Sequence, residues 1–542
     1  MKEQRDVTCP QVCVIGWDGA DWRILRPLMA AGRLPNLARF LARSRYGDLL
    51  STVPPVTAPA WTTFLTGVNP GRHALFTWQG RLNERLERPF LNASHVRARR
   101  LWDWLGDAGK RALFLNVPLT YPPASLHGVL VSGMLTPGVH VTFTHPPEVR
   151  ERLLAAIPDY QVDVEMQHTE RDRTSPQGMK AHLEEVRRAT YQRVVAWRLL
   201  WEEFGPFDFA MMVFEGPDRV QHPLYGYAAG IRPADADSGW DERQSWVWEY
   251  YTFLDEQFGA ILATLPEDTT VFLVSDHGFG PLEWEFCVND WLAAQGWLNF
   301  QEHARRFYAP LRPLARRLKR LLPRTWVQRG REAFGGLKAI DWSRTLAYGG
   351  GVMEDGIWIN LKGREPWGIV APEAYESVRD GILTALRDVH LPDGRPLCRN
   401  VYRREEIYHG PYVDQAPDIV LDLNEGVRFT SLRAHRDFFR AVRPLGQGTH
   451  RRRGILAVAG PSILPGPLET PSSLVDMTPT ILALMDIPVP DAAFDGHVIE
   501  AIVPTYRRTS QLPDEEIIEP EDFTSEEVQH IESHLRSLGY ID

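Results

Sequence analysis

Apolar positions follow two rhythms along this chain. Val12-Cys13-Val14-Ile15-Gly16-Trp17, Phe209-Ala210-Met211-Met212-Val213-Phe214 and Val271-Phe272-Leu273-Val274 are unbroken apolar runs of strand length. Runs of this kind belong to strands covered on both faces, as in a parallel sheet. A wider, helical spacing follows Thr57-Ala58-Pro59-Ala60 as far as Gly67, recurs over residues 371 to 388 and before the Phe209 run, and returns after Ser525-Glu526-Glu527, ending near Leu538. Alternating strands and helices predict an α/β fold with a mostly parallel central sheet.

Each of the three apolar runs ends on chemistry. Asp18 follows the first, Asp218 the second, and Asp276-His277-Gly278 the third. In open α/β sheets functional groups collect just past the carboxyl ends of strands, so the three runs deliver side chains to one rim. His222 stands four residues after Asp218, a spacing that lets an acid and an imidazole converge on one cation. Together with Thr57 and His450, these make seven candidate ligands, each expected where a strand ends: Asp18, Thr57, Asp218, His222, Asp276, His277 and His450.

Thr57, with Pro59 two residues on, is placed at a helix N-cap. It either caps that helix or aims its hydroxyl into a phosphate site at the helix N-terminus. His73 reads as a packing or hydrogen-bonding residue. Three carboxylates and three imidazoles suit two divalent ions, zinc first and manganese as the alternative.

On these residues the chain resembles the alkaline phosphatase superfamily, in its type I phosphodiesterase and nucleotide pyrophosphatase branch, and bacterial proteins described as predicted phosphohydrolases or phosphomutases. The resemblance runs from Val12 to about Ile499 and includes Gly448-Thr449-His450, Asp476-Met477-Thr478-Pro479 and Asp495-Gly496. It implies an alkaline-phosphatase-like three-layer sandwich with an inserted cap lobe. It also implies one metal held by Asp18, Thr57, Asp276 and His277 and a second held by Asp218, His222 and His450. The implied activity is phosphodiester hydrolysis through a phosphothreonine at Thr57, with phosphotransfer or phosphomutase action as the alternative. Phosphomonoesterase, sulfatase and non-catalytic binding roles rank lower. Ala60 stands where nucleotide pyrophosphatases carry an asparagine, so this chain lacks that phosphoryl contact, and the resemblance leaves backbone N–H groups, the metals or a nearby side chain (Glu215, Arg219 or Trp61, the candidate substrate contacts) to complete the site. Threonine cannot become formylglycine, which disfavours a sulfatase, and the chain after Thr57 continues into a helix rather than the large insertion of phosphoglycerate mutases.

The expected organisation is a catalytic core over 1–285 and 415–510 with an insertion at about 135–185, a lobe over 286–414, and an acidic C-terminal helix over 511–542. Pro417-Asp418-Ile419-Val420-Leu421-Asp422-Leu423 is read as a strand returning to the core. Between Arg305 and Arg331 ten basic residues occur without an acid, interleaved with leucines at helical spacing. That segment packs by its leucines, lies on an anionic membrane surface, or roofs a cleft for a polyanionic substrate.

Composition narrows the class. With 542 residues, 44% of them hydrophobic, the chain can bury an extended core plus a lobe. Its net charge of −10 argues against general nucleic-acid binding, while the resemblance implies a small phosphate ester as the partner. No apolar run is long enough to span a membrane, and the N-terminal residues lack the pattern of a secretory leader. Four cysteines without framework spacing fit reduced thiols, and the expected compartment is the cytoplasm.

Overall fold

A computed structural model describes residues 11–164, 175–234, 236–301, 336–351, 355–431, 438–442, 447–512 and 519–538. The basic segment 305–331 lies outside the described residues. The chain divides into two compact units.

The first unit comprises Met1–Trp78, Phe90–Pro281 and Pro444–Asp542. Its centre is a ten-stranded sheet. Seven of the strands are β1 (Val12–Trp17), β2 (Arg45–Leu50), β3 (Ala112–Val117), β4 (Gly128–Ser132), β5 (Thr144–His145), β6 (Phe209–Phe214) and β7 (Thr270–Val274). The order along the sheet is Gly466–Pro467, β2, Arg453–Ala459, β7, β1, β6, β3, β4, β5, with Ser472–Ser473 also on β2. Strands β7, β1, β6, β3 and β4 pair in parallel. Arg453–Ala459 runs antiparallel between β2 and β7, and β5 antiparallel to β4.

Central strands are buried along their whole length because helices cover both faces, and β1 shows how. Successive side chains on a strand point to opposite faces. Trp17 meets Phe258 of helix Trp240–Leu262 edge-on at 5.5 Å, and Phe258 in turn meets Phe40. One residue earlier, Gly16 faces the other layer, where a β-carbon would lie 2.7 Å from the Trp61 indole of helix Thr57–Thr66. Only glycine lets that helix lie so close to the sheet. The architecture is the expected three-layer α/β sandwich with a mostly parallel sheet.

The segment expected as an insertion contributes edge strand β5 and helix Glu148–Ala156, and helix Pro176–Phe204 begins inside its bounds. Helix Ser525–Leu538 docks in this unit through buried Ile531 and Leu535. Just before it, Phe523 stacks on Tyr121, whose hydroxyl bonds Glu527 at 2.6 Å.

The second unit comprises Gln79–Pro89 and Leu282–Arg443. It contains a four-stranded antiparallel sheet in the order Ala347–Gly349, Gly356–Ile359, Ile419–Leu423, Cys398–Arg403. Its core gathers Trp291, Trp342, Tyr348, Trp358, Ile382 and Leu421. The Ile419–Leu423 strand, expected to rejoin the central sheet, pairs here instead, with Gly356–Ile359 and Cys398–Arg403 on its two sides. A buried five-residue apolar run satisfies either sheet, and sequence pattern cannot choose between them. Among the described residues no helix is long and apolar enough to cross a membrane.

Candidate metal centre

The turn after β1 begins where the Asp18 N–H donates to the Phe214 carbonyl of β6 at 3.0 Å. Gly19 then takes φ +67°, which turns its N–H onto Asp276 Oδ1 at 3.2 Å, while its missing side chain leaves room for the Phe279 ring. Most residues resist that left-handed backbone, so the glycine is what lets the β1 and β7 turns meet. Ser275 locks the same junction. Its hydroxyl donates to the Ala20 carbonyl at 2.9 Å and accepts the Ile455 N–H at 2.8 Å.

Asp218 lies in the first turn of helix Gly216–Ala228, directly after β6, and His222 sits one turn later with Nε2 3.3 Å from Asp218 Oδ2. His450 does not follow a strand end. It lies within strand Gly448–Arg451, paired antiparallel with Gly278–Pro281 so that His450 stands opposite Phe279. This ribbon stacks His450 on His277, with ring centroids 3.7 Å apart, and puts its Nε2 3.2 Å from Asp218 Oδ2.

Thr57 does not cap its helix. Val56, with extended backbone, is the N-cap, and Thr57 is the first helical residue, so its side chain does not reach back to the orphan N–H groups. Its hydroxyl lies instead 3.3 Å from His277 Nε2. The structure therefore brings all seven sequence-predicted residues to one place, and Thr57, Asp18, Asp218, Asp276 and His277 are each no more than 1% exposed.

Three carboxylates buried together repel one another. Burial first, then the charges of Asp276 and Asp218, push Asp18 well above the ordinary carboxylate range. Asp276 is raised by burial and by Asp218. Burial also acts on Asp218, but His222, His450 and Arg219 outweigh it and hold that acid well below the range. The imidazoles of His222 and His277 are driven towards the neutral form chiefly by burial. Asp18 Oδ1 and Asp276 Oδ2 are buried without a hydrogen-bond partner. Unsatisfied buried carboxylate oxygens facing neutral imidazoles are what a divalent cation resolves. Ligating atoms of Asp218, His222 and His450 lie within 4.8 Å of one another, and so do those of Asp18, Asp218 and His277. Asp218 stands in both groups.

The three expected substrate contacts stand behind this cluster. The Trp61 indole N–H donates to Asp18 Oδ2 at 3.2 Å while its ring fills the core. Glu215 is buried against Arg193 at 3.4 Å. Arg219 joins Asp218 to Asp163, with Nη2 2.8 Å from Asp163 Oδ2. Sequence reasoning passed over Asp163, Arg193, Ser275 and Asp21. Of these only Asp21 carried a local signal, as the cap of helix Trp22–Ala30; it also accepts the Phe279 N–H at 3.1 Å.

The profile of the family described as type I phosphodiesterase / nucleotide pyrophosphatase matches residues 12–451. No curated protein matches the chain. Among solved structures, the alkaline phosphatase PafA is similar at a TM-score of 0.52 and 14% identity, covering 92% of this chain and 100% of that one. Phosphonoacetate hydrolase from Sinorhizobium meliloti 1021 gives 0.49 at 15% identity, covering 88% and 96%. Murine ectonucleotide pyrophosphatase / phosphodiesterase 5 gives 0.47 at 13% identity, covering 90% and 97%.

Proposed function

This chain belongs to the type I phosphodiesterase / nucleotide pyrophosphatase family, and on that premise we propose that it is a metal-dependent phosphoester hydrolase of the alkaline phosphatase superfamily, a two-metal phosphodiesterase acting through a covalent phosphothreonine at Thr57. The reading is carried by the Thr57 hydroxyl, which leaves the capping position and lies 3.3 Å from His277 Nε2 inside a set of carboxylate and imidazole donors.

Asp18, Thr57, Asp276 and His277 would hold one ion and Asp218, His222 and His450 the other, and imidazole with carboxylate suits zinc, with manganese as the alternative. When bound, such ions supply Lewis-acid stabilisation of phosphoryl and leaving oxygens and lower the pKa of a coordinated hydroxyl. Thr57 gives up its hydroxyl proton to solvent and attacks phosphorus: the Oγ1–P bond forms, the bond to the leaving oxygen breaks with its electron pair going to that oxygen, which solvent can protonate, and the other ester group stays on phosphorus. Water then attacks the phosphothreonine, and Thr57 is regenerated as its Oγ1–P bond breaks. The N–H groups of Thr57 and Ala58, at the start of helix Thr57–Thr66 and ahead of Pro59, lack intrahelical acceptors, and the positive end of the helix dipole there would favour an anionic transferred group. The ring of His277 is held for this task by its Nδ1–H, which donates to the Gly278 carbonyl at 3.2 Å and leaves Nε2 as a lone pair.

Acid-quenched turnover of an aryl phosphodiester, followed by peptide mass spectrometry, tests the intermediate. A phosphoryl adduct on the peptide carrying Thr57, absent in Thr57→Ala, is the expected result. Single-turnover kinetics without any adduct would remove the covalent mechanism.

A further inference from the structure

The two oxygens of Asp218 are held from different sides. Its Oδ2 faces His222 Nε2 at 3.3 Å and His450 Nε2 at 3.2 Å, whereas Oδ1 accepts Arg219 Nη1. Splitting the two oxygens in this way presents one of them to the imidazole side and denies it the other. What keeps Arg219 in place is Asp163, which takes the guanidinium at both ends, Nε to Oδ1 at 3.2 Å and Nη2 to Oδ2 at 2.8 Å. A two-point contact fixes the plane of the guanidinium as well as its position. All three charged groups are buried, with Asp163 at 6%, Arg219 at 3% and Asp218 at 0% exposure, so none can exchange its partner for water without cost.

Asp163 itself sits on neither a helix nor a strand. Its Oδ2 has a further partner: His534 Nε2, 3.0 Å away and 371 residues later in the chain. His534 projects from helix Ser525–Leu538, whose Ile531 and Leu535 are buried at 2% and 0%. Helix, imidazole, carboxylate, guanidinium and candidate ligand thus form one continuous series of polar contacts, with the C-terminal helix at its outer end. On the inner side, His182 Nε2 meets the Arg219 carbonyl at 3.0 Å and holds the backbone of the same residue.

We infer that the C-terminal helix is part of the metal centre, and that His534 and Asp163 are positioning residues that orient Asp218 through Arg219. This rests on reading Asp218 as a metal ligand. Groups behind a ligand tune affinity by fixing its orientation, and losing one costs about 10 to 100-fold in metal binding. The helix therefore acts at a distance chiefly on the ion served by Asp218, His222 and His450.

Zinc titrations against a chromophoric chelator, run on the full chain and paired with melting of the metal-free protein, test this. Wild type should bind two ions. His534→Phe, which keeps a ring in the helix but removes the N–H, should weaken the ion served by Asp218, His222 and His450 by about tenfold or more and the other ion by less. His534→Gln restores a donor and should recover most of the affinity, together with most of any metal-free melting temperature lost in His534→Phe. Asp163→Asn should weaken the same ion at least as strongly as His534→Phe. Unaltered binding of both ions in His534→Phe or in Asp163→Asn overturns the inference. So does equal weakening in His534→Phe and His534→Gln accompanied by equal loss of metal-free melting temperature, which marks a packing role alone. A wild-type chain that binds neither zinc nor manganese overturns the metal reading, and this inference with it.

Discussion

The Nε2 atoms of His222 and His450 lie 3.0 Å apart, and both face Asp218 Oδ2. On the far side of its ring, His450 Nδ1 is 2.9 Å from the Pro55 carbonyl. A carbonyl can only accept, so that nitrogen carries a proton and Nε2 is the nitrogen left to face the carboxylate. A cation between these groups would gather them into a ligand set, and the Pro55 contact orients the ring as it ties the loop before Thr57 to the ligand.

Removing ligands should therefore deplete the ions selectively. His222→Ala or His450→Ala is expected to lose about one equivalent of metal, and Asp276→Asn or His277→Ala the other, by elemental analysis of dialysed protein. Retention of two equivalents by all four variants would show that these residues do not hold the ions.

Thr57→Ala removes the attacking oxygen but only one member of a seven-residue donor set. Turnover of an aryl phosphodiester should fall by about 10³-fold or more while both ions remain bound, because loss of a nucleophile costs several powers of ten. Thr57→Ser keeps the hydroxyl and should retain measurable turnover. An alanine variant with more than about a tenth of the wild-type rate is incompatible with a covalent route.

Ala60 offers only a methyl group in the first turn of the nucleophile helix, and Arg219 is already engaged by Asp163 and Asp218. A monoester brings a dianion that needs a strong cationic or bidentate clamp, whereas a diester carries one charge on the transferred group. Diester hydrolysis is expected to exceed monoester hydrolysis by at least about tenfold in kcat/KM, roughly 1.4 kcal/mol of transition-state preference. Matched aryl substrates measure it, and equal rates or a monoester preference would locate the phosphate clamp outside this helix turn.

Acid should weaken the fold partly through His73. Burial lowers its pKa from 6.5 to about 3, with Nε2 against the Thr63 hydroxyl at 3.0 Å and Nδ1 accepting the Leu75 N–H at 3.1 Å. The folded pKa lies below the unfolded one, so between these values the unfolded chain binds the extra proton and stability falls as pH falls. Each unit below 6.5 removes up to about 1.4 kcal/mol, until the folded state also protonates. Urea unfolding at pH 6.5 and 4.5 should show wild type losing about 2 to 3 kcal/mol more than His73→Gln, which keeps a donor and an acceptor but does not titrate. Parallel losses in the two proteins would show that His73 is not the group responsible.

How much of the site could be read in advance depended on sequence distance. Asp18, Asp218 and Asp276 each follow a buried apolar run within a few residues, and strand direction alone sends them to one rim. The Asp218 and His222 pair follows from one helical turn. Thr57 was visible as a helix start, but whether its hydroxyl capped the helix or faced His277 turned on a shift of one residue at the N-terminus. The Ile419–Leu423 strand carried the right pattern for a strand and no mark of which sheet would claim it.

The chain's own order of apolar runs, helix starts and acids determined the α/β class, the parallel centre and the set of candidate ligands, because those depend on periodicities of a few residues. Tertiary structure alone decided that His450 enters from mid-strand to stack on His277, that Trp61 supports Asp18 from the core, and that His534 reaches Asp163 across 371 residues. Such contacts are made by surfaces that meet only after the sheet has formed and its helices have packed. No local preference encodes them; they exist because a buried charge has to find a partner wherever the fold brings one.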